Sequence, residues 1–155
     1  MTRLECAGET LRAALNALAV AAPDWTISHS NAEWVDRYNE RIEDYHLPKS
    51  KQQRIGQAEV YGRDGIIVLN AVFDASSPAW LRKIPAVETL RQVWIQQYYC
   101  ETNKVRWRTQ AEAPPASIMI SSPYEPDAHY AKKHTTSWVG YKVHLSETCE
   151  PGNCI

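Results

Sequence analysis

The chain carries six aspartates, Asp24, Asp36, Asp44, Asp64, Asp74 and Asp127. Converging carboxylates can hold divalent ions or move protons, so these residues are weighed first. Each lies on a helix-like face, at a helix end or in a loop, and none sits inside an apolar run that reads as a strand. Asp127, in EPDAHY, stands nearest a strand, yet aspartate in such a run is a turn or cap residue. No catalytic residue and no metal ligand is expected among them. A second set, His129, His134, His144, Cys149 and Cys154, falls at multiples of five. Zinc needs four such side chains to converge, and an odd separation along a strand sends His144 and Cys149 to opposite faces. The third set is basic and aromatic: Arg106-Trp107-Arg108, and Lys132-Lys133-His134. Guanidinium and ammonium groups neutralise phosphates, and an indole can stack on an unpaired base. Arg106, Arg108, Lys132 and Lys133 are therefore the candidate DNA-binding residues, with a solvated basic loop as the competing reading.

Composition limits the classes of function. With 17 basic and 18 acidic residues the net charge is −1, so any contact with an acidic polymer must be local. Apolar residues make up 44% of 155, enough for one modest core. No apolar run approaches the roughly 20 residues of a membrane span, and no signal-peptide pattern opens the chain. Cys6, Cys100, Cys149 and Cys154 form no CxxC pair, as expected in a reduced compartment. A cytoplasmic protein with no membrane partner is the expectation.

The elements that must position these residues read as follows. Glu9 to Ala22 has a helical stripe of Leu11, Leu15, Leu18 and Ala22, ended by Pro23. Ser30 or Asn31 caps a second helix, with Trp34, Tyr38, Ile42 and Tyr45 on one face, closed by Pro48. A third runs from about Lys49, basic at its start with Lys49, Lys51 and Arg54. It carries a costly Gly56 and stops near Tyr61 and Gly62. IIVLNAVF, after Asp64-Gly65, is favoured as a further helix, because a strand there has no nearby partner. Pro85 opens the best-defined helix, with Val87, Leu90, Val93, Trp94 and Tyr98 on its apolar face. Trp34, Trp80 and Trp94 read as core.

Beyond Cys100 the texture changes. VRWR at 105 to 108 reads as a short strand or a basic-aromatic loop, and IMIS at 118 to 121 is β-prone. Trp138 to Thr148 alternates, with Val139, Tyr141, Val143 and Leu145 on one face. Such a strand has no evident partner and is expected to expose backbone groups and an apolar face. The fold class predicted is mainly α with one or two C-terminal β-strands.

SPYEPDAHYAKKHTTSWVGYKVHLSETCE, together with GETLRAALNALAVAAPDW, PAWLRKIPAVETLRQVWIQQYY and VRWR in the same order, resembles a segment of one group of bacterial insertion-sequence transposases of the DDE type. Several stretches in order are more specific than one short motif. The resemblance implies a ribonuclease H-like catalytic domain with a helical insertion. Residues 1-110 are then the insertion region, and 111-155 the loop and strand remnant of the ribonuclease H-like sheet. In the intact family enzyme three carboxylates hold two Mg2+ or Mn2+ ions for strand cleavage and transfer. Aligned with that pattern, this chain lies between the first and second carboxylates. It is expected to contain none of the triad, to bind no cofactor itself, and to be catalytically incompetent alone. The implied partners are transposon-end DNA and, for a small regulatory remnant, the full-length transposase.

Overall fold

A computed structural model describes residues 1–102 and 104–143 of the chain. Its described part is mainly α, with two small antiparallel hairpins toward the C-terminus. Helices α1 (Arg3–Ala21), α2 (Pro23–His29), α3 (Ala32–Tyr38), α4 (Lys51–Phe73) and α5 (Pro85–Gln97) precede strands β1 (Tyr98–Glu101), β2 (Lys104–Trp107), β3 (His129–Lys133) and β4 (Thr136–Gly140). Single turns of tighter helix at Asp44–His46 and Ala79–Lys83 connect the helices.

Helix α1 starts earlier than its apolar stripe suggests. Thr2 accepts from the Glu5 backbone N–H while the Glu5 carboxylate accepts from the Thr2 N–H, a reciprocal cap written in the sequence as T-x-x-E. Leu4, Ala7, Leu11, Ala14 and Leu18 then form one buried face. Pro23 both ends α1 and begins α2, since the first helical position needs no N–H. Helix α3 stops at Tyr38, short of Tyr45, which is exposed. The Ile42 N–H donates instead to the buried Glu9 carboxylate at 2.6 Å, which turns the chain out of the helix.

The stretch expected as two helices is one. Helix α4 continues through Gly62 and Gly65, where neighbours occupy the space a side chain would need. A Cβ on Gly62 would lie 2.6 Å from Tyr98 and 2.8 Å from Val105, and one on Gly65 would lie 2.2 Å from the Trp94 ring. These glycines are contact points between elements, not stops. Trp94 Nε1 donates to the Gly62 carbonyl and the Tyr98 hydroxyl to that of Ala58, so α5 and β1 are fastened along α4. The core therefore lies among α1, α4 and α5, with Trp34 and Tyr38 of α3 closing one side. Trp80 is 49% exposed and is not core.

All of VRWR but Arg108 lies in a strand: β2 pairs with β1, Tyr99 opposite Arg106. IMIS does not. Gln96 of α5 acts as a side-chain strand partner, accepting from the Ile120 N–H at 2.9 Å and donating to the Ile118 carbonyl at 3.2 Å. The expected unpaired strand also has a partner. HYAKK, read as loop, is β3, and it pairs with β4 from His129 opposite Gly140 to Lys133 opposite Thr136. The strand ends at Gly140; Tyr141 and Val143 follow it exposed, outside any strand, and 144–148 lie outside the described residues. The apolar side chain of Val139 is exposed although its strand is paired.

Candidate nucleic-acid interface

Three stretches distant in sequence meet beside α4. The first turn of α1 supplies Arg3 and Leu4. The segment entering α4 and its opening turns supply Lys49, Lys51, Arg54, Ile55 and Glu59. Strand β2 and the residues after it supply Arg106, Trp107 and Arg108, then Thr109 and Gln110. Together they line a groove of about 660 Å³. Six of its twelve lining residues are cations and one is acidic, so positive charge is concentrated here in a chain whose net charge is −1.

The arginines are held in place by the fold. Arg3 donates to the buried Gln97 side chain at 2.8 Å, to the Arg108 carbonyl at 3.0 Å and to Gln110 at 3.3 Å. Its guanidinium lies 4.6 Å from the centre of the Trp107 ring, whose edge in turn meets Tyr98. Burial lowers the Arg3 pKa from its ordinary value, though the group stays charged. Arg54 donates to Asp44 at 2.7 Å and to the Pro48 carbonyl. Arg108 donates to the Tyr98 carbonyl at 2.9 Å. Arg106 makes a two-pronged pair with Glu112, both contacts at 2.8 Å. The Arg106 guanidinium holds the Glu112 carboxyl down to about 2, helped by the Thr109 N–H and hydroxyl. Arg106 and Arg108 also flank Tyr99, at 5.4 and 5.6 Å from its ring centre.

Every ion pair among the described residues uses an arginine. Of the groove's six cations, Arg54 and Arg106 take part in these ion pairs, while Lys49 and Lys51 take part in none and are both exposed. Subtracting Asp44, Glu59 and Glu112 from six cations leaves a local excess of about three charges, enough to attract a phosphate chain.

Of the four residues predicted from sequence, Arg106 and Arg108 line the groove and Lys132 and Lys133 do not. The two lysines sit exposed on β3, opposite Ser137 and Thr136. His134 occupies the turn between β3 and β4 with a left-handed φ of 53°, and His129 Nδ1 rests 3.3 Å from the Met119 carbonyl. His144, Cys149 and Cys154 lie outside the described residues. Sequence reasoning missed Arg3, Lys49, Lys51 and Arg54 as site residues. The usable signal was at the start of α4: its first turn has no acid, and Lys51 stands where the helix dipole disfavours a cation.

The aspartates are spread over the fold. Asp24 is in the first turn of α2, Asp36 is exposed on α3, and Asp74 caps the chain leaving α4 through Ser76. Asp127 is exposed in the turn before β3. Asp64, nearly buried mid-helix, accepts from Arg37 and from the Tyr38 hydroxyl. Among the described residues no three His, Cys, Asp or Glu side chains are grouped to hold a metal ion. No described helix is long and apolar enough to cross a membrane.

Fold and site together define a mainly α protein with a basic, partly aromatic groove between its first helix, its longest helix and a hairpin. Comparison with protein-family models, curated proteins and solved structures finds no match to the chain.

Proposed function

We propose that this chain is a DNA-contacting, non-catalytic part of a DDE-type transposase, and that the α1–α4–β2 groove is its contact surface. The observation that carries the DNA reading is the convergence of Arg3, Lys49, Lys51, Arg54, Arg106 and Arg108 on one groove of a chain with net charge −1. The transposase reading is supported by the ordered sequence stretches given above. In this reading the chain's residues bind and orient the phosphate backbone. Strand cleavage would need a carboxylate set that the described residues do not assemble, so no chemical step is assigned to them.

Fluorescence anisotropy with a labelled short duplex tests the DNA reading. Contacts from Lys49, Lys51 and Arg106 to three phosphates predict an affinity that falls about 40-fold between about 50 and 200 mM salt. No binding at the lower salt rejects it. The transposase reading is tested separately by translating the DNA on both sides of the coding stretch. It requires a strand bearing the first carboxylate upstream and one bearing the second downstream, and their absence rejects it.

A further inference from the structure

The groove has two chemically different parts. Lys49, Lys51 and Arg106 are exposed, whereas Ile55 and Trp107 are half-buried and Leu4 is 4% exposed. A surface that only tracks a duplex needs cations spread along its outside, because a duplex offers phosphates and groove edges while its base faces stay stacked inside. An apolar, aromatic interior has no use for that ligand. It suits a ligand that brings a flat apolar face and a phosphate together, which an unpaired nucleotide does. The volume of about 660 Å³ lies within the roughly 300–1,000 Å³ in which folded proteins enclose small organic groups.

The floor is also built ahead of binding. Arg3 is fixed by Gln97, Gln110 and the Arg108 carbonyl with its guanidinium over the Trp107 ring, so guanidinium and indole form a stack ahead of binding. Bases stack on both kinds of plane. A preformed stack loses little freedom when a base arrives.

We infer that the groove is a binding site for unpaired nucleotides of single-stranded DNA. Lys49, Lys51 and Arg106 neutralise consecutive phosphates, and a base inserts against the Arg3–Trp107 stack and the Leu4 and Ile55 side chains. This inference rests on the DNA reading proposed above and adds the form of DNA the groove takes.

Anisotropy titrations of the unmodified protein compare three probes at low salt: a short single-stranded oligonucleotide, the duplex of the same sequence, and an oligonucleotide of equal length lacking bases. The inference predicts that the single strand binds at least about tenfold more tightly than either of the others, since stacking one base is worth roughly that factor. Lys49→Ala with Lys51→Ala, checked for unchanged circular dichroism, should lessen the salt slope for the single strand by about 1.4. Duplex or base-free binding as tight as the single strand overturns the inference and leaves the DNA reading standing. An unchanged salt slope in the double variant places the strand elsewhere and also overturns it. No binding of any probe overturns both.

Discussion

One substitution made at two places in α4 separates its structural glycines from its incidental one. Gly65→Ala puts a methyl carbon 2.2 Å from Cε2 and Cζ2 of Trp94, well inside contact distance. Trp94 has no room to yield: it is 3% exposed, lies against Tyr98 with ring centres 4.9 Å apart, and donates to the Gly62 carbonyl. Overpacking of this kind costs about 1–3 kcal/mol. Displacing the indole forfeits a buried hydrogen bond of about 1 kcal/mol. Better helix propensity returns about 1 kcal/mol. The net loss is about 2 kcal/mol, or about 4–8 °C in melting temperature for a domain of this size. Gly56→Ala meets nothing within 4 Å. It keeps the propensity gain alone and should raise the melting temperature by about 2–4 °C. Thermal melts followed by circular dichroism measure both. If the two variants shift in the same direction, α4 does not pack on α5 through Gly65.

Other perturbations bear on the site and on the buried polar contacts. Glu112→Gln releases Arg106 from its two-pronged ion pair, so DNA affinity should rise about 2- to 5-fold in anisotropy titrations; unchanged affinity would mean that Arg106 meets no phosphate. Lys132→Ala with Lys133→Ala should weaken DNA binding less than Lys49→Ala with Lys51→Ala, because only the second pair lines the groove; the reverse order moves the interface to the β3–β4 hairpin. Burial pushes the Glu9 carboxyl up, but hydrogen bonds from Arg12, Tyr124 and the Ile42 N–H outweigh it and hold the folded pKa below the ordinary 4.5. The stability this confers is complete above the unfolded value and is lost as pH falls through the folded one. Urea titrations at about pH 7 and about pH 3 should show a smaller acid loss for Glu9→Gln than for the parent chain; equal losses contradict the network.

Local signals in the sequence located much of the fold. The Pro85 start and Val87, Leu90, Val93 and Trp94 recur in α5, while Tyr98, expected on the same helical face, opens β1 instead, and the mainly α class follows from such stripes. What sequence hid was decided between elements. Gly62 looks like a stop until Tyr98 and Val105 are seen filling its side-chain space. The stripe toward Tyr45 fails because Glu9, thirty-three residues away, takes the Ile42 N–H. IMIS is β-prone, yet a glutamine side chain supplies its partner. HYAKK alternates too little to announce β3, and its pairing with β4 depends on the tight turn at His134. The site divides in the same way. Arg106 and Arg108 were legible as a basic-aromatic motif, whereas Arg3 joins them only through the packing of α1 beside β2.

Occupation of the α1–α4–β2 groove by DNA can be mapped directly by nuclear magnetic resonance in a 17.6 kDa chain. Backbone amide shifts would be recorded during titration with the short single-stranded oligonucleotide at low salt. With DNA in the groove the largest changes fall at Arg3, Lys49 to Ile55 and Arg106 to Gln110. Changes confined to the β3–β4 hairpin, or no changes at all, would contradict that occupation.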